Sequence, residues 1–132
     1  MNTHSEDLKI VCPKDCGNAP KKILLRDLTI AFAKNDVSLF VENMKDDIVW
    51  DVVGKKLIEN KEDFMKSFNK MTVREVSEVH IENIITHGKT CSINGIIKLK
   101  DETSIAFCDV YNFTSAGKNT IKKITSYHIL LA

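Results

Sequence analysis

Hydrophobic and polar residues alternate along much of the second half of the chain, and this alternation predicts long β-strands. The clearest stretch covers residues 105–113, where Ile105, Phe107, Tyr111 and Phe113 share one face with Asp109. A charge inside an apolar face is costly unless it is paired, hydrogen-bonded or protonated. Asp109 is therefore predicted to point into an enclosed site.

Alternation of the same kind predicts further strands. They cover residues 48–54, 57–58, 76–86, 90–100 and 120–131. In the long strand that begins near residue 76, Val79 and Ile81 are expected to point inward and Ile84 to point to the other face. The pattern breaks at residues 83–85, which predicts a bulge or a bend there.

Helical spacing of apolar residues predicts three helices, all before the run of long strands. Their expected ranges are residues 20–34, 37–43 and 60–71. Pro20 suits a first helical turn, and Asp36 and Asn60 suit the start of the helices that follow them. Helices segregated from consecutive antiparallel strands make an α+β domain. We expect one domain over residues 20–132, preceded by an arm and a cysteine-containing loop over residues 1–19.

The composition is that of one soluble globular domain. The chain has 132 residues, 43% of them hydrophobic and 28% charged, with a formal net charge of +1. This balance gives no electrostatic reason to expect nucleic acid or an anionic membrane as a partner. No apolar run approaches the roughly 18 residues of a membrane span. The first residues are polar and acidic, unlike a signal peptide, so we expect a cytoplasmic protein.

Four cysteines are present, two of them close together before the first helix. Cys12 and Cys16 have a spacing that fits neither a C-x2-C redox motif nor a paired zinc site. We therefore expect no metal and predict unreactive thiols in a loop or in the core. A lid over a pocket, or thiol or metal sensing, are the alternatives for this segment.

Several stretches together resemble the nuclear transport factor 2-like superfamily, also called SnoaL-like or ketosteroid isomerase-like. The resemblance covers residues 20–131 and rests on residues 33–36 leading into 46–54, on 60–64, and on 109–113 followed by 124–128. It implies an α+β fold in which a curved antiparallel sheet packs against three helices and forms a cone with an apolar pocket. It also implies a homodimer formed through the outer face of the sheet.

The ketosteroid isomerases are the nearest functional comparison, and they imply roles for particular positions. By position, Asp51 resembles the base that shuttles a proton, and Asp109 resembles the protonated acid that donates a hydrogen bond to the developing oxyanion. The tyrosine that shares this second role falls at Leu28, which has no hydroxyl. His128 adds a titratable group on the final strand. The implied pocket-lining residues are Leu28, Val49, Phe107, Tyr111, Ile124 and Ser126.

Two functions of different classes follow from these residues. One is a cofactor-free isomerase or lyase that transfers a proton on a small hydrophobic or carbonyl-bearing molecule, with Asp51, Asp109 and His128 as catalytic residues. The sequence contains no Gly-rich phosphate loop that would imply a cofactor. The other is a non-catalytic module that binds a ligand in the cone or forms a dimer.

Each candidate also has a structural interpretation. Asp51 fits a solvated residue near a strand end, and Asp109 fits a buried carboxylate satisfied by a partner such as His128. If Asp109 and His128 face one cavity, the role of base passes to His128. Trp50 is expected to pack on the sheet or at a dimer contact, and Lys21 is expected to be solvated.

Overall fold

The computed structural model describes residues 8–13, 19–72 and 74–131. The helices are α1 (Pro20–Ala33), α2 (Ser38–Glu42) and α3 (Lys61–Met71). The strands are β1 (Lys9–Val11), β2 (Met44–Val52), β3 (Lys56–Ile58), β4 (Val76–His87), β5 (Thr90–Leu99), β6 (Ser104–Phe113) and β7 (Ile121–Leu131). Segregated helices and a large sheet confirm the α+β class.

All seven strands form one sheet, in the order β1-β4-β5-β6-β7-β2-β3. Its neighbours are antiparallel except for β1 with β4 and β2 with β7, so the sheet is mixed. Consecutive strands from β4 to β7 are joined by short turns, which enforce antiparallel pairing. The two parallel pairs join strands that are far apart in sequence, where no short turn imposes a direction.

Helix α1 packs on β4 and β5 and buries Leu25 and Leu28 completely. Pro20 is in its first turn, where a missing N–H costs nothing. The helix ends before Asn35, whose φ of 59° lies in the left-handed region that commonly follows a helix. Helix α1 therefore covers part of one face of the sheet.

Both of the expected helix starts are confirmed. The Asp36 side chain accepts a 3.0 Å hydrogen bond from the backbone N–H of Ser38 at the start of α2. The Asn60 side chain accepts a 2.8 Å hydrogen bond from the backbone N–H of Asp63 at the start of α3. Each bond satisfies a backbone donor that the first helical turn leaves without a partner.

The expected irregularity in β4 is present, and it changes which face one residue occupies. The register with β5 shifts between Ile81 and Asn83. After the shift Ile84 pairs with the buried Ile93 and packs against the core, whereas strict alternation had placed Ile84 on the opposite face. The bulge adds one residue to β4, so the side chains that follow it change faces and Ile84 points inward.

Strand β2 begins earlier than predicted. The sequence predicted a strand from residue 48, but the strand starts at Met44, which pairs with Ile121. Regular pairing with β7 resumes only at Val49, so the polar residues 45–47 occupy an irregular stretch inside the strand. From Ile48 onward the faces alternate, with Ile48, Trp50 and Val52 buried.

Lys21 is buried, which contradicts the expectation that it is solvated. Its ammonium group donates hydrogen bonds to the carbonyl oxygens of Ala116 and Lys118, at 2.9 and 2.6 Å, and to Asn119 Oδ1 at 3.2 Å. The same nitrogen lies 4.7 Å from the centre of the Phe113 ring. These acceptors replace the water that a buried ammonium loses.

The cysteines differ from expectation at one position. Cys12 is disulfide-bonded, whereas it was predicted to carry an unreactive thiol; Cys16 lies outside the described residues. Cys91 and Cys108 carry free thiols, and burial raises the pKa of both. No helix in the described part of the chain is long and apolar enough to cross a membrane.

Candidate functional site

A small cavity lies between the three helices and the inner face of the sheet. Its volume is about 20 Å³ for the centre of a water-sized sphere, which is room for about one water molecule. The wall is mostly aromatic, with a few polar groups. The lining residues are Thr29, Phe32, Phe40, Trp50, Phe64, Phe68, Ile97, Phe107, Asp109, Tyr111, Ile124, Ser126 and His128.

The sheet wall of this cavity comes mainly from two neighbouring strands. Alternation along β6 directs Phe107, Asp109 and Tyr111 inward. In β7, Ser126 pairs with Asp109, and His128 pairs with Phe107. Asp109 and His128 are therefore diagonal neighbours on the same face of the sheet, which brings their side chains within reach of each other.

The imidazole of His128 and the carboxyl group of Asp109 lie side by side at the cavity. His128 Nε2 lies 3.7 Å from Asp109 Oδ1, and the two side chains are only 14% and 16% exposed, respectively. That distance exceeds a normal N–H···O hydrogen bond, and Oδ1 is buried without a hydrogen-bond partner among the described residues. A buried carboxylate oxygen without a partner is costly, so it marks a position where a donor can be accommodated.

Tyr111 has a strongly perturbed hydroxyl. Complete burial raises the pKa of Tyr111 well above its usual range, and the nearby charge of Asp109 raises it further. Desolvation and a neighbouring negative charge both disfavour the phenolate. Tyr111 therefore keeps its proton at physiological pH and remains a hydrogen-bond donor.

Aromatic rings and one buried hydrogen bond hold the rest of the cavity wall together. Trp50 Nε1 donates a 2.9 Å hydrogen bond to Ser126 Oγ. The Trp50 ring lies 4.6 Å from Phe64, and Phe68 lies 5.4 Å from Phe32, measured between ring centres. This wall is rigid because its members are packed against one another and the indole N–H is satisfied.

Phe32 and His128 stand where this cavity meets a larger space outside it. Their ring centres are 6.2 Å apart. We call the outer space the vestibule. Its volume is about 290 Å³, and it is lined by Phe32, Lys55, Met71, Arg74, Ile97, Ile105, His128 and Leu130. Because His128 lines both spaces, its ring can contact a molecule in the vestibule while Asp109 lies behind it.

Sequence comparison alone gives no relatives. No family model matches the chain, and no curated protein matches it.

Comparison of folds does find similar structures. An NTF2-like protein of unknown function from Cytophaga hutchinsonii superimposes with a TM-score of 0.61 at 23% identity, covering 81% of this chain and 97% of that one. The chain has the NTF2-like fold. This confirms the resemblance drawn from the sequence.

Two further structures with the NTF2-like fold are described as enzymes or enzyme-like. An LEH-like epoxide hydrolase from M. tuberculosis matches with a TM-score of 0.63 at 17% identity, covering 81% of this chain and 80% of that one. SalBIII, an epoxide hydrolase/cyclase-like enzyme with a role in pyran ring formation in salinomycin, matches with a TM-score of 0.66 at 18% identity. The match covers 83% of this chain and 90% of that one. At these identities the likeness establishes the fold and leaves the activity open.

Within this NTF2-like fold, most of the site residues named from the sequence lie around the cavity. They are Phe107, Asp109, Tyr111, Ile124, Ser126 and His128. Asp51 and Val49 lie on the other face of β2, because Trp50 between them takes the inward position. Asp51 and Asp109 therefore do not share this cavity.

The helix wall also differs from expectation. Leu28 is completely buried but lies outside the cavity lining, where Thr29 and Phe32 represent α1. Each helical residue turns the side chain by about 100°, so a shift of one position moves it to another face. The placement of Leu28 came from the resemblance, and an uncertainty of one residue in such a placement is enough to miss the cavity.

Sequence reasoning missed the aromatic part of the wall. Phe40, Phe64 and Phe68 were not named as site residues from the sequence, and Trp50 was expected to pack on the sheet or at a dimer contact. The sequence did carry a signal for Trp50, since it shares the alternating face of Ile48. In the structure Trp50 is 3% exposed. No group of three or more metal-ligating side chains occurs among the residues that the structure describes.

Proposed function

We propose that this protein binds a small, mainly apolar, carbonyl-bearing molecule in the vestibule and transfers a proton on it through His128. The observation that carries the proposal is the pair formed by His128 and Asp109, in which a buried carboxylate oxygen lies 3.7 Å from the imidazole. A carboxylate beside an imidazole orients the ring and stabilises the positive charge that the ring gains when it accepts a proton. His128 is at the boundary of the two spaces, where a ligand can reach it.

The proposed step is an isomerisation or an elimination. His128 Nε2 faces Asp109, which leaves Nδ1 to take a proton from the carbon next to the ligand's carbonyl group. The proton then returns to a different carbon, or a leaving group departs. Negative charge develops on the carbonyl oxygen in either case.

Tyr111 is the proposed donor to that oxygen, which in this proposal extends from the vestibule past His128 into the inner cavity. It lines the cavity with His128, and its raised pKa keeps the hydroxyl protonated. A donor held in a dry, apolar site stabilises an oxyanion more than it would in water. In this proposal Tyr111 takes the role that the resemblance would have given to a tyrosine at Leu28, and Asp51 has no role.

The test is hydrogen–deuterium exchange next to the carbonyl group of cyclic β,γ-unsaturated ketones in D₂O, followed by proton NMR. We expect His128→Gln to slow the exchange by about 10²–10⁴-fold, the usual contribution of a general base. Asp109→Asn should slow it less, because the base itself remains. Asp51→Asn is the matched control and should leave the rate unchanged. Exchange by His128→Gln at the wild-type rate, or no exchange with any ketone, would contradict the proposal.

A second candidate is a non-catalytic, dimerising module. The cavity's small volume favours it, because aromatic side chains occupy most of the interior. The outer face of the sheet offers a contact surface: Tyr127, Ile129 and Leu131 of β7 are exposed, and Ala106 of β6 lies beside Ile129. Apolar side chains clustered on one exposed face are typical of protein interfaces.

For this candidate we propose a homodimer through that outer face. Light scattering of the intact protein should give twice the chain mass, and Ile129→Glu should reduce it to the mass of one chain. Met65→Glu, which places the same charge on an exposed position of α3, should have no effect. A single-chain mass for the unmodified protein would exclude the dimer.

A further inference from the structure

The vestibule has an uneven distribution of charge. Three of its lining residues, Lys55, Arg74 and His128, carry nitrogen groups that are or can become positive, and the remaining ones are apolar. No acidic residue is in this lining among the described parts of the chain. A concave apolar surface with a few convergent groups of one charge is suited to a ligand of the opposite charge.

Lys55 brings a cation that forms no ion pair in the described part of the chain. It ends the tight turn between β2 and β3, where its backbone N–H donates a 2.9 Å hydrogen bond to the carbonyl oxygen of Val52. Gly54 before it has a φ of 80°, which the turn requires. Within residues 8–13, 19–72 and 74–131, the Lys55 ammonium group makes no ion pair. The turn therefore fixes the backbone position of a cation whose charge is available to a ligand.

Arg74 brings a guanidinium group that is already oriented. Its Nη2 donates hydrogen bonds to Asp101 Oδ2 at 2.6 Å and to Thr103 Oγ1 at 2.8 Å. A guanidinium has five N–H donors in a planar fork, so these two bonds leave other donors available. Because Asp101 already holds the group, less side-chain freedom is lost when a ligand binds.

The charge of the vestibule favours a ligand with a single negative charge. Asp101 compensates the charge of Arg74, so Lys55 provides the uncompensated positive charge at the vestibule. The apolar side chains of Phe32, Ile97 and Leu130 continue from the rim toward the inner cavity. A molecule that satisfies both features has an apolar body and a single carboxylate.

We propose that the vestibule binds an apolar monocarboxylate, with the carboxylate at Lys55 and Arg74 and the apolar body directed toward His128. This inference deepens the function proposed above by naming the ligand class of the same site. Lys55 and Arg74 are specificity-determining residues in it and take no part in proton transfer.

The experiment compares three eight-carbon probes by isothermal titration calorimetry: octanoate, octan-1-ol and octylammonium. Octanoate should bind most tightly and octylammonium most weakly, because the three probes have similar apolar chains and head groups that are negative, neutral and positive. Lys55→Gln should weaken octanoate binding by roughly three- to tenfold, the range for a partly exposed charge-assisted contact, and leave octan-1-ol binding unchanged. Arg74→Gln should act in the same direction.

Lys56→Gln is the matched control, since Lys56 is the next residue, is exposed and lies outside the vestibule lining. Equal affinities for octanoate and octan-1-ol would overturn the inference, as would an equal loss of octanoate binding in the Lys56 and Lys55 variants. Binding is read without turnover, so the outcome is separate from the proton-exchange test. If the protein prefers octanoate but catalyses no proton exchange, the ligand class is supported and only the proposed enzymatic function is rejected.

Discussion

Gly95 of β5 lies directly against the carbonyl oxygen of His80 on β4. A Cβ added at Gly95 would be 2.0 Å from that oxygen and 3.0 Å from the carbonyl carbon. The approach occurs immediately before the register shift that follows Ile81. Close backbone contact and a bulge together change the course of β4, so Gly95 is required by the path of the strand beside it.

We predict that Gly95→Ala destabilises the protein by roughly 2–3 kcal/mol, because backbone atoms must move to admit the methyl group. Urea unfolding followed by circular dichroism measures this difference. Gly117→Ala is the control, since nothing lies within 4 Å of an added Cβ there, and it should change stability by less than about 0.5 kcal/mol. Equal effects at the two positions would contradict the steric explanation.

The buried carboxylate of Asp109 should make the unmodified protein less stable than a variant that lacks this charge. Its Oδ1 is buried without a hydrogen-bond partner in the described part of the chain, so its ionised form is poorly solvated. Asp109→Asn removes the charge with little change in shape and should stabilise the fold by about 0.5–2 kcal/mol, as substitutions in functional sites often do. Thermal unfolding at neutral pH checks it. A loss of stability would mean that His128 already compensates the carboxylate.

The bond from Trp50 to Ser126 should be measurable by a double-mutant cycle. Ser126→Ala leaves the buried Trp50 Nε1 without its acceptor, which should cost about 1–3 kcal/mol in the free energy of unfolding. In a Trp50→Phe background, the same substitution should cost much less, because the unsatisfied donor is gone. Additive effects would show that the hydrogen bond contributes nothing beyond packing.

Asp101 should make stability depend on pH in the acid range. Hydrogen bonds from Thr103, together with the bond from Arg74, hold the pKa of Asp101 well below its usual value. A carboxyl whose pKa is lower in the folded state stabilises the fold above the unfolded pKa of about 3.9, and that contribution is lost as the pH falls further toward the folded pKa.

The consequence is that Asp101→Asn should be less stable than the unmodified protein at pH 7, with a difference that shrinks as the pH falls below about 4. Urea unfolding at several pH values provides the comparison. Glu59→Gln, a substitution at an exposed acidic residue, should give no such pH-dependent difference. A difference for Asp101→Asn that stays constant across the acid range would contradict the assignment.

Strands with a regular alternation of apolar and polar residues could be predicted from the sequence, because the direction of each side chain depends only on its position along the strand. In β6 the inward direction of Asp109 and Tyr111 follows from a period of two, which needs no knowledge of the rest of the molecule. The caps at Asp36 and Asn60 are similarly local, since each side chain bonds a backbone group two or three residues away.

Features set by distant parts of the chain could not be predicted in this way. The bulge in β4 moved Ile84 to the inner face, although the sequence indicated only that some irregularity was near. Lys21 gave no sign of burial, because its acceptors are more than 90 residues away. Asp51 was placed in the pocket by resemblance, whereas alternation in β2 directs its neighbour Trp50 there.

The three hydrogen bonds of Lys21 have a mechanical consequence for the site. They fasten the first turn of α1 to the loop that joins β6 and β7, the two strands that carry Asp109 and His128. The same helix carries Phe32 to the boundary between the cavity and the vestibule. One ammonium group therefore ties the helix that carries Phe32 to the hairpin that carries Asp109 and His128, so the two walls of the cavity are fixed to each other at a point outside it.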